Sequence, residues 1–405
     1  MEIAPIPVSP PIYFSFANPT AFSGQKAATV LVVQGLAERG WDCHLLPQPV
    51  LEREDGSLLT RFSSYVIQLA GSWLGALRIF GSERAILHVS LGQTIASFVR
   101  DSVPIAFACL CRHPIYIALN GGLFMRWSGG SLEARLFRLL CRQASGVIVL
   151  GSRQRARLIE LGVDEERAKV IPNTCSPPSN SGPEFAADDD VPTDDVVRVL
   201  YLSSLIASKG YPEFLESLLR IGQMKKLRIY STLCGQVVPS EFDGRFRSER
   251  EATDWIESLI QSINQTEFVQ IRWVRGAVGE TKAMLYGNAD VFVLPTRYPV
   301  EAQPLVLLEA MASRCAIVSS RAGEIETVLD EESAVLLDEV SVDEVTRAIC
   351  ALVGDDDRRQ RLSVNAYNRY VEHFALDRHL DLWEACLGST DGTTESCDQG
   401  SRQTI

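Results

Sequence analysis

The 405-residue sequence predicts an α/β protein of two Rossmann-like domains, each an open parallel sheet with helices on both faces and a cleft between them. Three observations predict it. Strand, loop and helix patterns alternate from residue 12 to 173. A Pro-, Ser- and Asp-rich stretch without periodicity fills 174–195. The same alternation then restarts at 197 and runs to 387. The length fits two domains of ordinary size, and an apolar fraction of 46% suffices for their cores.

The first element is a strand over 12–17 (IYFSFA), rich in β-branched and aromatic residues. Asn18-Pro19 and Ser23-Gly24 punctuate a loop. Residues 26–39 carry Val30, Leu31, Val33, Leu36 and Ala37 at helical spacing, and Gly40 stops that helix. A strand at 43–46 completes a parallel β-α-β unit. Residues 62–77 are the longest apolar stretch, interrupted by Ser63, Ser64, Gln68 and Ser72 and closed by Arg78. They are too few for a comfortable membrane span and read as a core helix or a membrane-surface contact.

Strands follow at 85–89, 115–119, 146–150 and 169–171, with helices at 93–101, 132–143 and 153–161. In the 132–143 helix, Arg135, Arg138 and Arg142 share one face, and Leu136, Leu139 and Leu140 are placed on the other. The basic face reads as solvated or as a contact with an anionic membrane surface. In the second half, strands are expected at 197–202, 227–230, 269–273, 291–294, 316–319 and 334–336, and helices at 343–352, 356–374 and 376–387. The domain boundaries are therefore 1–173, a linker at 174–195, and 196–374. A last helix at 375–387 is expected to return to the first domain, and a polar, disordered tail follows at 388–405.

A formal net charge of -12 argues against nucleic acid as a partner. Residues 1–173 nevertheless hold 17 Lys and Arg against 13 Asp and Glu, while the remainder holds 22 against 38. The positive first half reads either as drift between two surfaces or as a face for an anionic leaflet. The 10 cysteines show no C-x-x-C or zinc spacing, which predicts free thiols in a reducing compartment. Pro5, Pro7, Pro10, Pro11 and Pro19 forbid a continuous leader helix, so a cytoplasmic location is expected, at the inner face of the membrane if the basic surface is used. The histidines lie in separate elements, and Asp188-Asp189-Asp190 sits in the linker, so no metal site is expected.

The most informative segment is 289–320, ADVFVLPTRYPVEAQPLVLLEAMASRCAIVSS. A buried strand ends in a loop bearing Glu301, and a helix then opens with Glu309 inside it, seven residues lying between the two glutamates. The first N–H groups of a helix lack partners and its dipole end is positive, which suits a diphosphate. Carboxylates at fixed positions accept hydrogen bonds from sugar hydroxyls. The pair taken alone also fits one dipole-stabilising acid and one solvated acid.

The segment as a whole resembles the retaining glycosyltransferases of family four (glycosyl transferases group 1, GT-B fold). Pro295-Thr296, Glu301, Pro304 and Glu309-Ala310-Met311-Ala312 stand where that family has its two-glutamate motif, with Ala302 and Arg314 at two positions where it has glycine. The resemblance extends to 201–211 (YLSSLIASKGY). Lys209-Gly210 matches there, while Ser204 replaces the family's arginine, with Arg297 or Arg321 as candidates to compensate. It is weaker in the first domain: 18–26 (NPTAFSGQK) keeps only Gly24 of a glycine-rich loop, Asn120 replaces a histidine in 119–125 (LNGGLFM), and 170–174 (VIPNT) matches the closing turn.

The resemblance implies retaining transfer from a nucleotide-diphosphate sugar, a UDP- or GDP-sugar, without metal or cofactor. It assigns catalytic roles to Glu301, which positions the sugar, to Lys209 at the departing diphosphate, and to Asn120. Donor binding falls to Glu309 at the ribose and to Gln303, Leu305, Val306, Gly24, Ser204 and Arg297, with the 275–277 loop beside the base. The acceptor it implies is lipid-linked or a glycan, met at the inner leaflet during exopolysaccharide, capsule or lipopolysaccharide assembly. Ser204, Asn120 and the missing glycines also fit a scaffold that has lost turnover, and the fold also hosts sugar-nucleotide epimerases.

Overall fold

A computed structural model of the chain describes residues 10–18, 24–48, 58–81, 84–176 and 196–388. The first domain runs β1 (Ile12–Ala17), α1 (Gly24–Glu38), β2 (Cys43–Gln48), α2 (Leu58–Ala76), β3 (Ile86–Ser90), α3 (Ile95–Leu110), β4 (Ile115–Ala118), α4 (Leu132–Cys141), β5 (Gly146–Val149), α5 (Ser152–Glu160) and β6 (Ala168–Val170). Its strands form one parallel sheet in the order β2-β1-β3-β4-β5-β6. Because side chains alternate across a strand, β1 sends Tyr13 to one face and Ile12 and Phe14 to the other. On the first face Leu87, Val89 and Ile117 meet Phe98, Ile105 and Phe137 of α3 and α4.

The second domain runs β7 (Val197–Leu202), α6 (Tyr211–Met224), β8 (Ile229–Cys234), α7 (Glu249–Asn264), β9 (Val269–Val274), α8 (Gly279–Gly287), β10 (Val291–Leu294), α9 (Leu305–Ala312), β11 (Ala316–Ser320), α10 (Ile325–Val328), β12 (Ala334–Leu337), α11 (Val342–Val353) and α12 (Asp356–His373). Its parallel strands are ordered β12-β11-β10-β7-β8-β9. The strand order reverses between β7 and β10. In a doubly wound sheet the loops leaving such a reversal part to opposite faces and open a crevice at the carboxyl ends of the strands. The Lys209 and Glu301 loops are those two loops.

A last helix, α13 (Leu376–Gly388), packs on the first domain. Leu380, Trp383 and Leu387 complete the core on the second face of the first sheet, against Phe14, Val32 and Leu36. A Cβ on Gly35 of α1 would lie 2.7 Å from Leu380 Cδ1, so the two helices touch at a glycine. Arg39 Nη1 bonds Asp381 at 2.7 Å and Glu384 at 2.8 Å, fixing the far end of the same contact.

Every predicted strand is present, with bounds moved by a few residues. Three expectations are corrected. The helix predicted at 93–101 continues as α3 to Leu110, because Asp101 is not a solvated terminus. It is buried, pairs with Arg100 at 2.6 Å and accepts the Gly92 N–H, while Ile105 and Ala108 prolong the apolar face past Pro104. In α4 the buried face is Ala134, Phe137 and Cys141, and Leu139 is 58% exposed beside Arg135 and Arg142. Leu139 is thus not on the core side, whereas Leu136 and Leu140 are half-buried against the core as expected, and Arg138 donates to the Gly129 carbonyl at 2.9 Å instead of facing solvent alone. The linker does not begin at 174. Thr174 and Cys175 are buried, the Thr174 hydroxyl donating to the Phe374 carbonyl at 2.7 Å and the Tyr370 hydroxyl to that of Cys175 at 3.1 Å. The remaining linker from 177 to 195, the tail from 389 and most of the Asn18–Gly24 loop (19–23) lie outside the described residues.

Among the described residues no helix is long and apolar enough to cross a membrane. The 62–77 stretch is helical and only partly a core element: Phe62, Ile67 and Leu74 of α2 are exposed. Cysteines 43, 109, 111, 141, 175, 234, 315, 350 and 386 are free thiols.

Candidate active site

A cavity of about 730 Å³ lies between the two domains at the carboxyl ends of both sheets. Of the residues singled out in the sequence, Lys209, Asn120, Glu309, Gln303, Leu305, Val306, Gly24 and Ser204 line it. Glu301 stands behind Lys209 and does not line it, and Arg297 lies away from it.

Lys209 ends a 3-10 turn, Ala207–Lys209, that leaves β7, and Gly210 follows with φ of +86°. A Cβ on Gly210 would lie 2.1 Å from the Pro295 carbonyl oxygen, so only glycine lets the β7 loop approach the β10 loop this closely. The approach places Lys209 Nζ 3.5 Å from Glu301 Oε2 and 5.4 Å from the centre of the Tyr298 ring. The Thr296 hydroxyl donates to the same carboxylate oxygen at 3.1 Å. The ammonium is therefore held between a nearly buried carboxylate and an aromatic face, with its open side on the cavity.

Glu309 is held from α8. Lys282 Nζ lies 2.5 Å from Oε1, and the Tyr286 hydroxyl donates to Oε2 at 3.0 Å. The carboxylate raises the Tyr286 phenol further above its usual range, after burial. Leu305 opens α9, and Gly24 opens α1 directly opposite: a Cβ on Gly24 would meet Leu305 Cδ1 at 3.1 Å. Arg314, where glycine ends the helix in the family motif, adopts φ of +58°. Its guanidinium stacks 3.7 Å from the Tyr367 ring centre, which offsets the left-handed backbone.

Arg297 does not stand in for the cation missing at Ser204. It pairs with Glu213 in the first turn of α6 at 2.7 Å. Arg321 is taken up by Glu326, Glu331 and Asp338. Gln303 lines the cavity but spends its amide on the other domain: Oε1 accepts the Asn173 N–H at 2.5 Å and Nε2 donates to the Leu150 carbonyl at 3.2 Å. Asn120 Nδ2 reaches the Ser90 hydroxyl at 3.5 Å. Its neighbour Gly122 donates to the Val300 carbonyl at 3.2 Å, which brings the Asn120 loop against the Glu301 loop.

A second bridge ties the domains. Glu324 is 1% exposed, and its Oε1 accepts the Gln154 N–H in the first turn of α5 at 2.5 Å. A side chain of the second domain thus caps a helix of the first. Burial raises the Glu324 carboxyl above its ordinary value of 4.5. Glu324→Ala is expected to cost about 1–2 kcal/mol of unfolding free energy, the usual worth of an N-cap, while Glu324→Gln keeps an acceptor. Because the folded state holds the proton more tightly, the group favours folding fully below pH 4.5 and loses that contribution as pH rises through the raised folded value. The gain of Glu324→Gln over wild type should therefore be greatest near pH 7 and vanish below pH 4.5. Urea unfolding between pH 4 and 8 reads this, and a pH-independent difference would refute it.

The two halves of the cavity differ in charge. The second domain contributes Lys209, Arg275, Lys282 and Glu309. Arg275 stacks 3.4 Å from the Trp273 ring centre and bonds Glu257 at 2.6 Å, so the loop at 275–277, read as a neighbour of the base, does border the cavity. Sequence reading missed Lys282 and Tyr286. They sit one turn apart on α8, and only the fold shows that α8 faces Glu309. It also passed over His88 and His379, which line the first-domain side and which burial holds neutral, at about 3 and about 4.

Residues 187–369 match the family model for glycosyl transferases group 1. A stretch of 121 residues is 35% identical to the MMP alpha-(1->4)-mannosyltransferase of Mycolicibacterium hassiacum, and the match spans 29% of this chain and 28% of that protein. Among solved structures, a glycosyltransferase from Rickettsia africae superposes with a TM-score of 0.71 at 14% identity, over 95% of this chain and 100% of that one. Anabaena Alr3699/HepE in complex with UDP superposes at 0.68 with 15% identity, over 93% of this chain and 99% of that one. The paired six-stranded sheets, the cleft at their carboxyl ends and the likeness to these solved structures establish that the chain has the GT-B fold, and within it residues 187–369 match the model of the glycosyl transferases group 1 family.

Proposed function

We propose that this protein is a retaining, metal-independent glycosyltransferase that moves a sugar from a UDP- or GDP-sugar to a lipid-linked or carbohydrate acceptor in surface or exopolysaccharide assembly. The observation that carries the reading is the Lys209 ammonium, pinned by Glu301 and Tyr298 and lining the same cleft as the N-terminus of α9. A cation and free helix N–H groups stabilise a diphosphate as it departs.

Glu309 accepts from the ribose, Asn120 faces the sugar, and Glu301 positions it indirectly, by holding the Lys209 ammonium at the cleft. The bond from the anomeric carbon to the diphosphate oxygen breaks on the face where the acceptor oxygen bonds, and the leaving phosphate takes the acceptor proton. No histidine is then required at Asn120. UDP bound to Alr3699/HepE supports a uridine donor, and the mannosyltransferase relative supports a hexose. Exposed Phe62, Ile67, Val99 and Leu139, together with exposed Arg135 and Arg142 of the same domain, support contact of the first domain with an anionic leaflet on the cytoplasmic side.

A thermal-shift screen of UDP, GDP and ADP tests the donor site. The matching nucleotide at about 100 times its dissociation constant should stabilise the wild type by about 2.7 kcal/mol and do little for Glu309→Ala. If no nucleotide acts on the folded wild type, the donor assignment fails.

A further inference from the structure

The first-domain half of the cavity extends beneath α1. Phe14, Val32, Ala118, Ile148 and Trp383 wall it, and Ala27 and Ala28 leave α1 without bulk on that side. No charged residue among the described lining residues belongs to this half. His88 lies within it, 3% exposed, tilted against Phe14 at 5.0 Å and edge-on to Trp383 at 5.1 Å by ring centres, and neither ring nitrogen has a hydrogen-bond partner. His379 close by differs: one nitrogen meets the Pro172 carbonyl at 2.7 Å and the other accepts from Trp383 Nε1 at 3.0 Å.

A buried imidazole with two empty positions calls for a partner. Neutral, it offers one donor and one acceptor, which a hydroxyl matches on both counts. A phosphate or carboxylate would find no countercharge there. Ser90, beside Asn120 at the mouth, and His88 are two residues apart on one face of β3, about 6.6 Å along the strand, the reach of a chain of five or six carbons.

Building on the transferase reading, we propose that this half of the cavity seats an uncharged acceptor whose apolar arm runs beneath α1 and ends in a hydroxyl paired with His88. The acceptor class narrows accordingly. The part that enters the protein is a neutral hydroxyalkyl or similar aglycone, and any phosphate group stays outside.

The test uses methyl, hexyl and 6-hydroxyhexyl β-glucosides below micellar concentrations, titrated calorimetrically into the full chain. Hexyl glucoside should bind about tenfold or more tightly than methyl glucoside, since two buried methylenes already supply about that factor. Ala28→Phe, which fills the slot from the surface of α1, should erase the ratio. In His88→Leu the preference for hydroxyhexyl over hexyl should fall about tenfold. Equal or undetectable binding of the methyl and hexyl probes overturns the proposal, as does a hexyl preference that survives Ala28→Phe. If His88→Leu fails to fold, the Ala28→Phe comparison decides. UDP and GDP shifts on the same samples separate the two readings. A nucleotide response without alkyl preference sinks the slot alone. Alkyl preference without any nucleotide response sinks the transferase reading and keeps the slot as a binding site.

Discussion

Lys209→Ala is expected to lower kcat/KM for sugar transfer about 10²–10³-fold, the usual cost of removing one group that stabilises charge developing in a transition state. The loss should fall mainly on kcat, because the diphosphate gains its full charge only as the glycosidic bond breaks. The substitution also leaves Glu301, whose side chain is 8% exposed, with the Thr296 hydroxyl as its remaining polar contact. Some destabilisation therefore accompanies the kinetic loss. Lys209→Arg separates the two effects, since it keeps the charge against Glu301 but replaces a compact ammonium with a planar fork. It should hold stability while recovering only part of the rate. Steady-state kinetics and thermal melts of both variants check this, and an alanine variant within tenfold of wild type would remove Lys209 from the mechanism.

Gly210→Ala should cost about 2–5 kcal/mol, combining the penalty for a left-handed residue with that for overpacking. Relief requires the β7 and β10 loops to part, since the new methyl would sit 2.1 Å from the Pro295 oxygen. Parting draws Lys209 away from Glu301, so activity falls with stability even though no reacting group has changed. Urea unfolding with parallel kinetics reads both. Normal activity in a stable Gly210→Ala protein would show that the two loops need not touch.

The sheet architecture was legible because central strands of a parallel sheet are buried on both faces and read as apolar runs, as GVIVL and VFVLP do. The segments at 201–211 and 289–320 were legible through their resemblance to the family's motifs, and the structure supplies the reason for one of them: Gly210 lets the β7 loop meet Pro295. What escaped was set by packing between distant elements. The helix expected to end at Asp101 runs on to Leu110, because the fold buries Asp101 against Arg100. Arg297 looked free to replace a missing cation until α6 brought Glu213 to it. Gln303 looked like a ligand-binding amide, yet its partners lie 130 and 153 residues away in the chain. The α4 helix misled for a different reason: its leucines are more numerous than its core residues, and only the sheet beneath it shows that Phe137 points inward.

The return of α13 to the first domain bears on how the chain folds as it is made. The second face of the first sheet is sealed by Leu380, Trp383 and Leu387, among the last of the described residues to be synthesised. Ile171, the last earlier contribution to that core, precedes them by the whole second domain. At about 5–20 residues per second, some 200 residues of translation separate the two, on the order of 10–40 s. During that interval the first domain waits on the ribosome with Phe14 and His88 under an incomplete roof, while the second domain can close its own core unaided. The N-terminal half of this protein is therefore the half that finishes folding last, and it is the one a chaperone would hold.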